Sequence, residues 1–292
     1  MAMEQVALLG TGLMGFPMAR NLLAANVPLT VWNRTQAKAD PLAADGAVVS
    51  ATVADAVNGA DIVISMMSDG PTVIEVVSDV APGLKTGAMW IDMSSTKPDE
   101  ARTQADILSA HGIAHLDAPV SGGTKGAEAG SLAIMVGGKQ VDVARAHPVL
   151  ATMGRPVHVG PSGTGQLSKL CNQTVVAVTI GAVAEAMLLA SKGGADPAAL
   201  RAALKGGFAD STILQQHGAR MTEGNFVPGG LSKFQLKDLD NVLAEAAALN
   251  LSLPMTQDVR DRFSHFVAAM GGAEKDHSGL YLELKARNGL QT

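Results

Sequence analysis

The sequence runs to 292 residues, room for one large or two medium domains, and its 47% hydrophobic against 17% charged content excludes global disorder. Its 22 basic and 27 acidic side chains give a net charge of −5; without a basic surplus, and with only 3% aromatic residues to stack on bases, no nucleic-acid partner is expected. One cysteine, Cys171, excludes an internal disulfide framework and points to a reducing compartment, the cytoplasm.

An apolar run opens at Val6 with no basic, signal-like segment ahead of it, so secretion is not expected. Short β-branched runs predict strands at 5–9, 29–33, 47–49, 61–66, 88–92 and 115–118, with further apolar runs at 132–136 and 157–159. Between them, stretches of helical period predict helices at 13–25, 36–44, 52–57, 72–77, 98–110 and 141–150. Strand and helix in strict alternation imply parallel strands with crossover helices, an α/β fold with a Rossmann-type doubly wound parallel sheet.

Past residue 160 the pattern changes: no β-branched strand follows, and the apolar positions recur at helical spacing. Residues 163–192 read as one helix stopped by Gly193 and Gly194. At about 1.5 Å per residue it would be roughly 40 Å long, enough to span two domains. Further helices are predicted at 197–205, 211–221, 236–249 and 255–270. The expected organisation is therefore a dinucleotide-binding domain over 1–161 and an all-helical substrate and dimerisation domain over 162–292. The most membrane-like stretch, 175–190, is short for a bilayer and interrupted by Glu185, so it reads as a buried helix and no membrane partner is expected.

Gly10-Thr11-Gly12-Leu13-Met14-Gly15 is a G-x-G-x-x-G run placed between the first strand and the first helix, the context that makes this motif a dinucleotide signature. Gly10 permits the tight turn, Gly12 lets backbone approach a pyrophosphate, and Gly15 lets the helix pack on the strand; the helix N-terminus offers N–H donors to the phosphates. The second strand ends in Asn33-Arg34-Thr35, where NAD-preferring enzymes usually carry a carboxylate for the ribose 2′-hydroxyl. An amide followed by a guanidinium suits a 2′-phosphate instead. Thr35 can add a donor and Lys38 a second charge, so NADP is the expected cofactor with NAD possible.

Three further segments concentrate polar residues. Ser121-Gly122-Gly123 follows a strand and can expose backbone donors to a carboxylate. Gly163-Thr164-Gly165 opens the long helix, with Lys169 just inside it; Lys237-Asp238 lies in a later helix. Lys169 is expected at the domain junction, where desolvation and the positive helix end would lower its pKa toward that of a general acid/base. Asn172 and Gln173 share its helical face.

Together these motifs resemble the β-hydroxyacid dehydrogenase family over nearly the whole chain: Gly-Thr-Gly-Leu-Met-Gly-Phe-Pro-Met-Ala from Gly10, Asp-Ala-Pro-Val-Ser-Gly-Gly from Asp117, and Gly-Thr-Gly followed by the Lys169 helix. The resemblance implies that Lys169 is the catalytic acid/base assisted by Asn172, and that Ser121, Gly122 and Gly123 hold the substrate carboxylate. Lys237 would line the substrate and nicotinamide site, and Met66, Met67, Ser95 and Thr96 would contact cofactor or substrate. It also implies a homodimer or homotetramer. Asn172, rather than Asn at position 173, matches the tartronate semialdehyde reductase-like branch, and Gly230 stands where glyoxylate/succinic semialdehyde reductases carry Phe, which would open the pocket.

The expected function is NADPH-dependent reduction of a small carboxylate-bearing semialdehyde to its hydroxyacid, as in tartronate semialdehyde reductases and 3-hydroxyisobutyrate dehydrogenases. A glyoxylate/succinic semialdehyde reductase and, in another class, a non-catalytic dinucleotide-binding regulatory module are the alternatives. No metal site is expected, since a predicted strand start separates His111 from His115. Cys171 reads as a small core residue, the Asp69-Gly70-Pro71 segment as a turn, and Asp276-His277-Ser278 has no assigned role.

Overall fold

The structure, a computed structural model, describes residues 4–291. The chain divides into two compact units, with the boundary in the sequence between Lys169 and Leu170. In the first, nine strands among the described residues build one sheet: β1 (Val6–Leu9), β2 (Leu29–Trp32), β3 (Val48–Val49), β4 (Ile62–Ser65), β5 (Met89–Asp92), β6 (Ala114–Asp117), β7 (Val120–Ser121), β8 (Leu132–Gly137) and β9 (Gly154–Gly160). Strands β3-β2-β1-β4-β5-β6 lie parallel in that order. The order reverses between β1 and β4, where open α/β sheets place their ligands.

Every residue of β1, β4 and β5 is buried, as expected of parallel strands covered on both faces. Alternate residues serve opposite sides. Val6, Leu8, Ile62 and Ile64 join Met18 and Leu22 of α1 (Gly15–Ala24). Ala7, Leu9, Val63 and Trp90 join Val73 and Val77 of α3 (Gly70–Val80) and Leu108 of α4 (Pro98–Ser109), the period-2 logic of a strand. Helices α2 (Val53–Val57), α5 (Gly123–Glu128) and α6 (Gln140–Leu150) complete this unit.

In this unit two expectations need correction, and two features were not expected, an antiparallel pairing and a short helix. To the expected parallel sheet is added an antiparallel pairing: β8 runs antiparallel to the end of β6 and to β7 in one register, Asp117↔Gly137 and Val120↔Ile134. The expected helix over 36–44 is instead two 3-10 turns, Gln36–Lys38 and Asp40–Ala43, because Pro41 has no N–H to donate to an α-helical ladder. The Asp69 turn is the cap of α3, its carboxylate accepting from the Thr72 N–H at 2.9 Å. Helix α5 went unforeseen because Gly-Thr-Lys-Gly-Ala-Glu carries no apolar period.

The long helix α7 (Thr164–Lys192) begins in the first unit and continues into the second. There it is followed by α8 (Pro197–Leu204), α9 (Thr212–Glu223), α10 (Ser232–Ala248), α11 (Pro254–Ala269) and α12 (Leu280–Arg287). Ile180, Ala184, Met187, Leu214, Leu239, Phe263 and Leu280 form the core of this unit. Helix α7 is not the buried helix its composition suggested: one third of its most apolar 18-residue window is buried. Cys171 stands exposed on it rather than in the core. Because α7 is apolar nearly all round, periodicity could not say which face turns inward.

Candidate active site

The glycine loop is built as its sequence requires. Gly10 sits at φ +102°, and a Cβ there would lie 2.2 Å from the Met66 carbonyl oxygen; one on Gly15 would lie 1.9 Å from the Gly10 oxygen. Both positions must be glycine for β1, β4 and α1 to meet this closely. A Cβ on Gly12 would meet nothing within 4 Å, so this glycine leaves open space beside the loop. The first turn of α1 has no side-chain cap, and the Thr11 hydroxyl is buried without a hydrogen-bond partner among the described residues. An uncapped helix start, an unfilled space and an orphaned hydroxyl on one loop fit a dinucleotide pyrophosphate.

Asn33 has a structural role. Its Oδ1 accepts from the Thr11 N–H at 2.9 Å and its Nδ2 donates to the Thr35 oxygen at 2.9 Å, tying the glycine loop to the turn after β2. Arg34, Thr35 and Lys38 are exposed, and Arg34 forms no ion pair among the described residues. Leu13 is exposed and Met14 half-buried at the start of α1. The Met67 N–H donates to Ser94 Oγ at 2.8 Å, which fixes the loop after β4 against the loop holding Ser95. Ser121 closes β7, and Gly122 (φ +138°) and Gly123 (φ +63°) turn the exposed chain into α5.

The carboxyl edge of the sheet carries two buried acids that end neighbouring strands, Asp92 and Asp117. Asp92 accepts from Ser65 Oγ (2.8 Å), the Ser94 N–H (3.1 Å) and Gln104 Nε2 (3.3 Å); burial pushes its pKa up against these bonds. Asp117 accepts from the Gly163 and Gln166 N–H groups, each at 2.8 Å, at the opening of α7. Burial, reinforced by the Asp92 charge and opposed by those two amides, raises its pKa to about 6. Gln166 itself accepts from the Thr96 N–H at 3.0 Å and donates to the Ser94 oxygen at 2.8 Å. Lys169 follows one turn later, half-buried. Gln166 escaped sequence reading; its one available signal was a polar side chain three residues before Lys169, on the same helical face.

In the second unit four side chains form one connected set. Asn172 Nδ2 donates to Gln173 Oε1 at 2.9 Å, Gln173 Nε2 donates to Asp238 Oδ2 at 2.6 Å, and Lys237 pairs with Asp238 at 3.2 Å. Asp238 thus fixes both Lys237 and, through Gln173, Asn172.

The same unit holds a cluster that the sequence hid, because its members lie far apart in the chain. His217, Asp276 and His277 offer ligand atoms within 4.8 Å of one another. Asp276 is already engaged: it accepts from Ser278 N and Oγ and from the Gly229 and Gly230 N–H groups, with Arg220 at 3.6 Å. Burial works to raise its pKa, but these bonds hold it below the ordinary value. With its lone pairs taken and a guanidinium beside it, the cluster is organised as a structural hub rather than a cation site. Nor is the space beside Gly230 open: a Cβ there would meet the His277 ring at 3.1 Å.

Burial lowers the pKa of His277 to about 4, with the neighbouring His217 adding to it, and also lowers that of His217. A histidine held below its free value of 6.5 takes up its proton more readily when unfolded. Its contribution is therefore complete above 6.5 and is lost as pH falls toward 4. Asp117 has the opposite sign: its contribution is full below 3.8 and is lost as pH rises through about 6. Thermal melts of His277→Gln should accordingly lose less stability than the parent on acidification, by on the order of 1 kcal/mol at pH 5.5. Parallel losses in the two proteins would remove His277 from the account.

Residues 5–163 match the family described as the NAD binding domain of 6-phosphogluconate dehydrogenase. Residues 163–284 match the NAD-binding family of NADP-dependent 3-hydroxyisobutyrate dehydrogenase. The chain belongs to the β-hydroxyacid dehydrogenase family. It is 41% identical to the 2-hydroxy-3-oxopropionate reductase of Escherichia coli K12, covering 98% of this chain and 99% of that one. A probable 3-hydroxyisobutyrate dehydrogenase of Mycobacterium tuberculosis H37Rv is 35% identical, covering 98% and 99%. Among solved structures, the Mycobacterium tuberculosis 3-hydroxyisobutyrate dehydrogenase with L-serine superposes with a TM-score of 0.89 at 33% identity, covering 97% of this chain and all of that one. This β-hydroxyacid dehydrogenase is thus an NAD(P)-dependent oxidoreductase acting on hydroxyl groups, with a Rossmann domain followed by a helical one.

Proposed function

We propose that this β-hydroxyacid dehydrogenase uses NADP(H) to reduce short semialdehyde carboxylates, with Lys169 as the proton donor. The observation that carries the reading is the end-to-end likeness to a reductase named for 2-hydroxy-3-oxopropionate, in a chain that has Lys169 on the first turns of α7. NADPH, when bound, supplies the hydride. Gly10, Gly12 and Gly15 admit its pyrophosphate at the start of α1, and exposed Arg34, with Thr35 and Lys38, takes the 2′-phosphate. Ser121, Gly122 and Gly123 hold the substrate carboxylate. Lys169, as its ammonium, gives a proton to the carbonyl oxygen while the carbon is reduced; in oxidation the neutral amine takes the hydroxyl proton. Asn172 orients the oxygen, and Lys237, fixed by Asp238, contributes a donor to the substrate.

The test is absorbance at the NADPH band with tartronate, methylmalonate and succinic semialdehydes and glyoxylate, repeated with NADH. The tartronate or methylmalonate compound with NADPH should give the highest kcat/KM, and Arg34→Ala should cut the NADPH preference by about tenfold or more, the scale of one charge-assisted phosphate contact. An unaltered preference would remove Arg34 from cofactor choice. The observation favouring the second reading, a glyoxylate/succinic semialdehyde reductase, is the His277 ring packed where a side chain at Gly230 would stand.

The enzyme is proposed to be a homodimer or homotetramer assembled through α7. Val175 and Leu189 are 64% and 76% exposed, and with exposed Cys171 and Ala182 they recur at the spacing of a helix-pairing seam. A second copy covers such a stripe by laying the same helix against it. Light scattering should give a multiple of the chain mass, reduced by Leu189→Asp; a monomer for the parent protein overturns the assembly.

A further inference from the structure

We propose that Asp117 is a positioning residue for Lys169: the two oxygens of one buried carboxylate fix where α7 begins on the sheet and so where the amine on its second turn stands. The inference rests on the reading of Lys169 as the proton donor. The clamp itself rests on geometry. Asp117 ends β6, and each of its oxygens accepts one backbone N–H from the opening of α7, Gly163 on Oδ1 and Gln166 on Oδ2, both at 2.8 Å. Two acceptors on a rigid strand end determine both the height and the rotation of the helix start, which a single bond would not.

The surroundings leave no room for the helix to slide. A Cβ on Gly165 would lie 2.2 Å from the Asp117 carbonyl oxygen and 2.6 Å from that of Met135. One on Gly137 would lie 2.5 Å from Asp117 Oδ1 and 2.7 Å from the Gly165 nitrogen. The first turn of α7 is thus pressed backbone to backbone onto the seam between β6 and β8. Gln166 adds a second attachment, to Thr96 N and Ser94 O in the loop after β5. That loop is held in turn by Asp92 through the Ser94 N–H. Lys169 is three residues beyond Gln166, so any tilt or rotation at the clamp moves the amine directly. A misplacement of about 1 Å at a reacting group costs on the order of 100-fold in rate.

Asp117→Asn keeps the shape and one acceptor oxygen but gives up the other. Amide hydrogen exchange should accelerate at Gly163 or Gln166, kcat should fall by about 10- to 100-fold, and KM for NADPH should stay within about twofold. Gln166→Met, which retains Asp117, provides the second variant; it should lower kcat by a smaller factor with the same unchanged KM. Lys169→Ala is measured alongside. If it leaves turnover intact, the reading of Lys169 fails and the positioning role falls with it. If Lys169→Ala abolishes turnover while Asp117→Asn speeds exchange but keeps the parent kcat, the positioning role alone is wrong. A loss confined to KM, or unchanged exchange at both amides, overturns the clamp.

Discussion

Lys169→Ala is expected to lower kcat by about 100-fold or more while NADPH affinity stays within about twofold of the parent. A positioned general acid typically contributes 10²- to 10⁴-fold, and removing it leaves the hydride going to a carbonyl carbon whose oxygen only water can protonate. The cofactor loop should be indifferent, because Gly10, Gly12 and Gly15 belong to the β1–α1 turn whereas Lys169 belongs to the start of α7. Lys169→Arg should be nearly as slow: a guanidinium keeps the charge but yields its proton far less readily than an ammonium. Stopped-flow turnover with fluorescence titration of NADPH separates the two effects. Loss of NADPH binding together with turnover would instead assign Lys169 to cofactor binding.

The glycine loop supplies a second large contrast, between two apparently equal glycines. Gly12→Ala places its methyl where nothing lies within 4 Å, so the fold should keep its melting temperature. The methyl occupies the space a pyrophosphate needs, and KM for NADPH should rise by about tenfold or more. Gly15→Ala behaves differently. Its methyl would lie 1.9 Å from the Gly10 oxygen, and since that atom is backbone, strand and helix must separate. Overpacking of this kind costs about 1–3 kcal/mol, so this variant should melt earlier as well as bind poorly. Melting curves and NADPH titrations of the two variants decide it; equal melting temperatures would remove the distinction.

These contrasts reflect what a sequence can and cannot reveal. The β1–α1 turn was legible because its chemistry is local: spacing, glycine and the flanking strand and helix lie within a dozen residues. The central strands were legible because 6–9, 62–65 and 89–92 are buried on both faces and read as short apolar runs, closed in the last two by Ser65 and Asp92. The reversal at β7 and β8 was not, since strand direction is set by pairing partners, and two residues, Val120 and Ser121, carry no pattern. Asp117 lay inside a quoted motif, yet its work is done 46 and 49 residues further on, at Gly163 and Gln166. The hub of His217, Asp276 and His277 was hidden for the same reason, and it explains Asp276-His277-Ser278: the Asp caps its own turn through Ser278 and holds the backbone of Gly229 and Gly230. Cys171 was misplaced because an almost uniformly apolar helix gives no sign of which face its neighbours cover.

Chemical rescue of Lys169→Ala by small primary amines tests the central claim most directly, because it asks whether a free amine can replace the tethered one. Turnover of the variant should rise with ethylamine concentration toward a plateau, with NADPH affinity unchanged. Turnover that is independent of added amine across the same range would contradict the account.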